Sequence, residues 1–326
     1  MKISYRLITA MILALSVSAP SMAADSTNYP TRPVTIVVPF TPASGIDLIA
    51  RTIAPKLNDK LGQPVVVTNK PGASGNIGAD TLAKADPDGH TLMVTVSAFT
   101  ITPAFYKSVP YDPIKDFEPI GQLAVGNLAL VINPSVLPVD NFQDFVKYVS
   151  ARPGKLNYGS PGSGTPQHLA VEILKDHLKL DIVHVPYKGA AGASTDLLGG
   201  QIQMMVLPIH TALPLAATGK LRVLAVSGKE RSILAPESPS FAEVGLQSLD
   251  IDMYYWLAAP AGTRKEIISK LNGHIGEIIA MPEVRETLLK QGMIPTTSTP
   301  EAIAGMIDRD VTRWKQFVAE KGLTAN

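Results

Sequence analysis

Short apolar runs alternate along this chain with longer segments in which apolar residues recur at helical spacing. The runs have strand length, as at Val34 to Val38, Thr91 to Val96 and Arg222 to Val226. After the first run, the apolar residues from Ile46 to Leu57 recur at spacings of three and four, which places them on one face of a helix. This alternation is typical of α/β units on a mostly parallel sheet, so the predicted fold class is α/β.

The order of these segments predicts two α/β lobes. We expect residues 24–125 and 251–326 to form a discontinuous first lobe and residues 126–250 the second, because the C-terminal segment has one strand, three helices and no core of its own. The chain then crosses between the lobes twice, and two crossings make a hinge that ligand can close. Within the first helix, Ile46 to Leu61, Pro55 predicts a kink or an early end near Ala54.

Residues 1–23 have the pattern of a secretory signal peptide. Lys2 and Arg6 precede the apolar stretch Leu7 to Val17, and Ser21-Met22-Ala23 supplies small residues before a cleavage point. A membrane anchor is the alternative, but about 11 apolar residues are far fewer than the roughly 20 that span a bilayer. The sequence therefore predicts an exported protein.

Composition limits the chemistry and the partners of the chain. The absence of cysteine excludes disulfides, zinc-thiolate sites and a cysteine nucleophile. Lys and Arg together number 29 against 28 for Asp and Glu, so no strong positive field attracts nucleic acid or anionic lipid. The expected partner is a small molecule.

Enzyme motifs are incomplete. Ser163 lacks the glycines two positions before and after it that a nucleophile elbow requires. Gly72, Gly75 and Gly78 follow a strand, but they lack the closely spaced first pair of a dinucleotide loop. The histidines are scattered, as structural histidines often are, so we expect no catalytic residue, no metal and no cofactor. An exported hydrolase is the alternative.

The first of three distinctive loops runs from Phe40 to Asp47, between a strand and a helix. Its small residues allow a ligand to approach the backbone, and the amides at a helix start attract anions. Asp47 can instead cap those amides, which is a purely structural role.

The second loop runs from Tyr158 to His168. Thr165 suits an N-cap and Pro166 the first helical position, so a run of Gly and Ser leads directly into a helix N-terminus. A flexible turn would also contain Gly and Ser, but the capped helix start favours ligand binding.

The third loop, from His184 to Gly192, also lies between a strand and a helix. Tyr187 offers an amphipathic ring and Lys188 a mobile ammonium. A solvent-facing surface lysine is the alternative to a pocket rim.

Seven stretches of the chain together form a recognisable pattern. They are Pro30 to Val34 with Val38 to Phe40, Leu61 to Val67, Pro71 to Gly78, Asp86 to Gly89, Pro153 to Ser160, His184 to Gly189 and Leu257 to Gly262. In this order they resemble the Bug family of periplasmic solute-binding proteins that serve tripartite tricarboxylate transporters, and the likeness extends from about Tyr29 to the end of the chain.

The resemblance implies a two-lobe Venus-flytrap fold that closes on a small carboxylate and delivers it to membrane permease subunits. It also implies that the first and second loops hold the carboxylate through amides and hydroxyls. A monomer is expected, and a sensor subunit remains an alternative to a transport receptor.

Two departures from the family pattern bear on the ligand. Ala43 and Ser44 stand where the family usually has paired glycines, and His210 lies in a region where many members have an Asp-Asn pair. Without that acidic residue an amino acid is disfavoured. Two helix starts in opposite lobes can each receive one anionic group, which favours a dicarboxylate or aromatic carboxylate, with terephthalate as the sharpest candidate. The predicted ligand-binding residues are Phe40, Thr41, Ala43, Ser44, Asp47, Ser97, Phe99, Thr100, Ser160, Ser163, Gly164, Thr165, His168, Tyr187, Lys188, Ala190 and His210.

Overall fold

The computed structural model describes residues 28–187, 189–247, 249 and 251–323, so the predicted signal peptide lies outside the described residues. The strands are β1 Val34–Val38, β2 Val65–Asn69, β3 Thr91–Val96, β4 Phe117–Gly126, β5 Leu128–Ile132, β6 Asn157–Ser160, β7 Val183–Pro186, β8 Met204–Pro208, β9 Arg222–Val226, β10 Met253–Pro260 and β11 Ile294–Pro295. The helices are α1 Gly45–Leu61, α2 Asn76–Ala83, α3 Ala98–Phe105, α4 Phe142–Ser150, α5 Pro166–Leu178, α6 Ala190–Leu198, α7 Ile209–Ala217, α8 Lys265–Ala280, α9 Pro282–Lys290 and α10 Pro300–Lys321.

The strands form two mixed sheets. The six-stranded sheet has the order β11-β4-β10-β3-β1-β2, and the five-stranded sheet has the order β7-β6-β8-β5-β9. In the first sheet β1 runs parallel to β2 and β3, while β10 runs antiparallel to β3 and β4. In the second sheet β6 runs parallel to β7 and β8, while β5 runs antiparallel to β8 and β9. The parallel strands carry the βα loops that the sequence singles out.

Apolar residues cover both faces of the six-stranded sheet. Ile49 and Leu57 of α1 pack with Ile275 of α8 in a core on one face. On the other face, Trp256 of β10 packs with Ile303 of α10. Each large side chain buried in this way contributes about 1.5 to 3 kcal/mol relative to exposure, so the sheet is stabilised from both sides.

A single residue joins the two sheets at the first crossing. β4 ends at Gly126, β5 begins at Leu128, and only Asn127 lies between them. The Asn127 side-chain amide donates to the Ser227 carbonyl oxygen at 3.2 Å and to Asp252 Oδ1 at 3.1 Å. Asp252 immediately precedes β10, so the two crossings are hydrogen-bonded to each other. The lobe boundaries at residues 125/126 and 250/251 stay a prediction.

Two helices contact the cores of both sheets. In α3, Phe99 packs in a core of the six-stranded sheet, whereas Phe105 packs in the core of the five-stranded sheet. In α10, Ile303 packs in a core of the six-stranded sheet, whereas Trp314 packs in the core of the five-stranded sheet. The sheets are therefore joined by packed helices as well as by the two crossings.

The structure departs from the sequence prediction in α1. The helix continues through Pro55 to Leu61, so the predicted early end is wrong. Pro55 is exposed, while Ile53 and Leu57 on either side of it are fully buried. Their packing holds the helix together although proline removes one backbone donor.

The sequence pattern also missed the helix α3 and all of β4. Residues 98–105 include two threonines, an isoleucine and Pro103, which have low helix propensity, yet the segment is helical because it is buried between the cores of both sheets. β4 begins at Phe117, ten residues before the predicted start of the next strand at Asn127.

Gly72, Gly75 and Gly78 are required by the local backbone conformation and packing. Gly72 has φ of 134° and Gly75 φ of 95°, both in the region that side chains rarely adopt. At Gly78, a Cβ would lie 2.5 Å from Pro39 Cβ and 2.7 Å from Pro39 Cα. The start of α2 therefore packs directly on the backbone that follows β1, and this contact positions the first loop.

We predict that Gly78→Ala destabilises the protein by about 1 to 3 kcal/mol, because Pro39 is held by the sheet and cannot move away. Gly273→Ala is the matched control, since Gly273 is also helical and its Cβ would meet no atom within 4 Å. That variant should gain up to about 1 kcal/mol from helix propensity. Urea unfolding measures both, and equal stability of the two variants would contradict the packing argument.

A second close contact, between Gly292 and His210, lies between the two sheets. Gly292 lies between α9 and β11, and a Cβ there would lie 2.4 Å from His210 Cβ and 3.0 Å from the His210 backbone nitrogen. His210 belongs to α7, on the five-stranded sheet. Only a residue without a side chain fits at this contact.

We predict that Gly292→Ala costs about 1 to 3 kcal/mol more in unfolding free energy than Gly219→Ala. The comparison is matched because φ is 72° at Gly292 and 71° at Gly219, where a Cβ would meet nothing within 4 Å. Both variants carry the same backbone strain, so the difference measures the contact with His210. Identical midpoints and slopes in urea unfolding would show that the contact does not form in solution.

Candidate functional site

The first loop is held in place by Asp47. Its Oδ2 accepts hydrogen bonds from the Ala43 amide at 2.9 Å and from Arg51 Nε at 2.9 Å, and its Oδ1 accepts one from Asn69 at 2.8 Å. Burial opposes ionisation of Asp47, but these hydrogen bonds outweigh it and lower the pKa of the carboxyl. Asp47 thus stabilises a turn in which Ala43 has φ of 62°, a conformation that a glycine would adopt without strain.

The start of α1 has no side-chain cap. Ser44 occupies the N-cap position with extended backbone angles, but its side chain makes no capping hydrogen bond. The Ser44 hydroxyl oxygen is buried and has no hydrogen-bond partner. The first amides of this 17-residue helix and one hydroxyl are therefore available as donors at the positive end of the helix dipole.

The rest of the first loop surrounds this point. Thr41 and Ala43 are exposed, and Phe40 is half-buried with its ring against Gly75. The Phe40 carbonyl oxygen accepts a hydrogen bond from Asn69 at 3.1 Å.

In the second loop, the hydroxyls of Thr165 and Ser160 form hydrogen bonds within the protein. Thr165 Oγ1 accepts from the His168 amide at 3.3 Å and donates to the Gly162 carbonyl at 2.8 Å, so it caps α5 as predicted. Ser160 is fully buried and its Oγ lies 2.7 Å from His184 Nε2. Ser163 is half-buried, and among the described residues its side chain makes no hydrogen bond.

Three stacked aromatic rings, from Tyr158, His184 and His168, lie at the second loop. The ring of His184 lies between those of Tyr158 and His168, with centroid distances of 4.7 and 4.1 Å. The Gly164 amide donates to His168 Nδ1 at 3.2 Å. Burial lowers the pKa of each histidine to about 4, and for His184 the neighbouring His168 adds to the effect. Both rings are therefore neutral at pH 7.

Three predicted residues of the β3 to α3 region serve packing and helix geometry. Phe99 stacks on Tyr111 with ring centroids 5.1 Å apart, in a buried aromatic cluster. Thr100 is buried and donates to the Ser97 carbonyl at 2.9 Å, while the Ser97 hydroxyl points to the Asp252 carbonyl at 3.4 Å.

The third loop is described except for Lys188. The Tyr187 hydroxyl donates to Asp196 at 2.6 Å, and Ala190 is exposed at the first position of α6. His210 is half-buried at the contact with Gly292, and burial lowers the pKa of its imidazole.

Two aromatic residues that the sequence analysis did not select lie at the loops. A Cβ on Gly164 would meet the Phe105 ring at 3.0 Å, so this α3 side chain rests on the second loop. A Cβ on Gly45 would meet the Tyr255 hydroxyl at 3.2 Å, which places Tyr255 beside the start of α1. Detecting Phe105 required prediction of α3, which the low helix propensity of that segment hid.

The donors that remain unused at the start of α1 are backbone amides and the Ser44 hydroxyl, all of which are neutral. Within the described part of the chain, no group of three or more acidic or histidine side chains is placed to share a metal ion. Over the same residues, none of the helices has the length and apolar character of a membrane span.

We predict that the protein loses stability as the pH falls from about 6.5 to about 4. Both stacked histidines have pKa values near 4 in the folded state, so in this window the unfolded chain binds more protons, and the stability present above pH 6.5 is progressively lost. For His168, which is 5% exposed, the loss is on the order of 2 to 3 kcal/mol. Urea unfolding between pH 7.5 and 4.5 measures it.

His168→Gln should flatten this pH dependence, whereas the same change at His177, an exposed histidine of the same helix, should not. The carboxyl of Glu172 lies near His168. Burial opposes its ionisation, but hydrogen bonds from Lys175 and Tyr158 lower its pKa. Both variants keep Glu172, so its titration is common to the two pH profiles. An unchanged slope in His168→Gln would remove His168 as a source of the effect.

Comparison with known proteins identifies the family. Residues 49–323 match the family model described as the tripartite tricarboxylate transporter family receptor. Protein BugT of Bordetella pertussis is 35% identical over 313 residues, covering 95% of this chain and 95% of BugT.

Solved structures agree. A protein described as a periplasmic transporter has a TM-score of 0.82 and 36% identity, covering 91% of this chain and 100% of its own. An R. palustris protein solved with adipate has a TM-score of 0.81 and 32% identity, covering 91% and 99%. MatC from Rhodopseudomonas palustris, solved with bound malate, has a TM-score of 0.78 and 30% identity, covering 89% and 100%.

These matches extend over nearly the whole chain, and with the two α/β sheets they confirm the predicted two-lobe periplasmic-binding-protein fold. The chain belongs to the Bug family of tripartite tricarboxylate transporter receptors.

Proposed function

We propose that this protein is a periplasmic receptor that captures a small dicarboxylate between its lobes and delivers it to the membrane subunits of a tripartite tricarboxylate transporter. The observation that carries the proposal is the start of α1, where the buried Ser44 hydroxyl and the first helical amides have no capping partner. A carboxylate would satisfy these donors at the positive end of the helix dipole.

The second loop would receive the other end of the ligand. Thr165 bonds to the Gly162 carbonyl within the loop, and Ser160 bonds to that carbonyl and to His184 of β7, so both side chains hold the shape of the loop. The donors left for a ligand are the Ser163 hydroxyl and the loop amides, assisted by ordered water. Of the three hydroxyl residues of this loop among the predicted ligand-binding residues, Ser163 is therefore the one that we propose contacts the ligand.

The charge of the loops supports a ligand with few anionic groups. The only lysine or arginine in the three loops is Lys188. Arg51 bonds to Asp47, and the stacked histidines are neutral. A dicarboxylate can be held by amides and hydroxyls at each end, whereas a tricarboxylate would need further cationic partners.

The structural relatives solved with adipate and malate support a dicarboxylate as the class. Terephthalate remains the sharpest candidate because it is a rigid diacid with an apolar body. Phe99 and Phe105 are both buried, but Phe105 packs against Gly164 of the second loop whereas Phe99 stacks on Tyr111, so Phe105 is the ring that adjoins that loop.

A hydrolase is less favoured. Ser160 lies within hydrogen-bonding distance of His184, as a nucleophile and base would, but the side chain is fully buried and its hydroxyl also bonds to the Gly162 carbonyl. The matching family is one of receptors, which supports a non-enzymatic role. We further propose that the receptor acts as a monomer and that residues 1–23 direct its export.

The test is a panel of diacids and their monoamides, with calorimetry at pH 7.5 on adipate, terephthalate and malate. The diacids should bind more tightly than the monoamides, because each loop receives one anionic group. Ser44→Ala should weaken the binding of the preferred diacid by about 10-fold or more, the usual effect of losing a hydrogen bond to a charged group.

Thr299→Ala is the matched control. Thr299 caps α10 by accepting from the Ala302 amide at 3.3 Å, so this variant loses stability without touching the loops. Equal affinity for diacid and monoamide would contradict the two-anion model. Absence of binding by every acid tested would contradict the receptor function itself.

A further inference from the structure

A cavity of about 500 Å³ lies between α10 and the strands β4 and β10. It is lined by Gln122, Tyr254, Ser298, Ala302, Ile303, Met306, Arg309, Asp310 and Arg313. Two of these residues are arginines one helical turn apart on α10, so their guanidinium groups project from the same face of the helix.

Arg313 is oriented by its neighbours. Its Nη2 donates to Asp310 Oδ1 at 3.2 Å, and its guanidinium carbon lies 4.2 Å from the centre of the Trp314 ring. The Nε atom is buried and has no hydrogen-bond partner. A buried donor of a charged group without a partner is costly, so an acceptor at this position would be stabilising.

Arg309 adds a second cation. It is exposed, and among the described residues it makes no ion pair or hydrogen bond. With Asp310 as the one acidic residue in the lining, the two arginines leave the cavity with a net charge of +1.

The strands supply further donors. The Gln122 backbone amide donates to Ser298 Oγ at 3.2 Å, which leaves the hydroxyl proton of Ser298 free to donate elsewhere. Met306 and Ala302 add an apolar wall. A ligand that matches this lining has anionic groups for the guanidinium forks and a carbon skeleton for the apolar wall.

The cavity is separate from the loops at the start of α1. Gln122 pairs across the sheet with Trp256, whose side chain packs in the core beneath α10. α1 packs on the opposite face of the same sheet, in the core that contains Ile49 and Leu57. A ligand in this cavity therefore contacts different residues from one at Ser44.

We propose that this cavity is a second anion site, which binds a small organic polycarboxylate between Arg309 and Arg313. The two guanidinium groups each take a carboxylate, and Gln122 and Ser298 donate to the remaining oxygens. Because α10 packs against the cores of both sheets, an occupied site stabilises the contact between them.

Calorimetry with citrate as the probe, at low ionic strength, tests the site. Arg309→Gln and Arg313→Gln should each weaken citrate binding by about 10-fold or more. Lys315→Gln is the matched control, because it removes the same charge from an exposed position of α10 outside this cavity. It should leave the affinity within about two-fold of the wild type. Arg309 is exposed, so its variant remains informative if Arg313→Gln folds poorly.

Ser44→Ala distinguishes this site from the proposed receptor site. Citrate binding that persists in Ser44→Ala and is lost in the arginine variants supports the second site. Binding lost only in Ser44→Ala would place citrate in the cleft and overturn it, as would equal weakening by Lys315→Gln or no binding at about 10 mM citrate. Inorganic phosphate that binds as tightly as citrate would overturn the assignment to a carboxylate.

Discussion

The arrangement of the two sheets depends on Asn127, the single residue between β4 and β5. Its side chain donates to the Ser227 carbonyl and to Asp252, and its own carbonyl oxygen accepts from the Ile209 amide at 3.0 Å. The Ser232 hydroxyl donates to Asn127 Oδ1 at 2.7 Å. One buried amide thus joins both crossings and the start of α7, and no apolar residue could satisfy the same buried groups.

Close contacts elsewhere in the six-stranded sheet fix the position of the first loop. Gly78 lets α2 lie on Pro39, which fixes where the chain leaves β1. Asp47 then bonds back to Ala43 and holds the turn, with Asn69 of β2 as a further donor. The result is an α1 start whose amides are not used by the protein. In α5, by contrast, Thr165 caps its own helix, so the two helix starts differ in what they offer an anion.

Sequence patterns predicted those helices that begin at a capping residue and bury only one face. The start of α5 at Pro166 matches the prediction because Thr165 caps the helix and proline follows at the first position. α3 could not be predicted in this way, because burial against two cores outweighs the low propensity of its threonines and Pro103. Without α3, the position of Phe105 against the second loop could not be predicted either.

Local sequence places a side chain in a loop but does not say where its hydrogen bonds go. Ser44 and Ser160 are alike in the sequence, since each is a serine in a loop between a strand and a helix. Ser160 bonds to His184 from a different strand, whereas the Ser44 hydroxyl meets no partner among the described residues. The difference comes from β6 pairing with β7, which aligns Tyr158 with His184. Long-range register therefore decides which hydroxyl is left for a ligand.

The contacts of α3 give the second loop a connection to both sheets. Phe105 rests on Gly164, and its ring lies 5.9 Å from that of His168 in an edge-to-face arrangement. The other end of α3 begins after Ser97, whose hydroxyl points to the Asp252 carbonyl at the second crossing. A change in the angle between the sheets therefore alters the packing at both ends of α3. The second loop, where we propose that the ligand binds, is therefore linked to the crossings through this one buried helix.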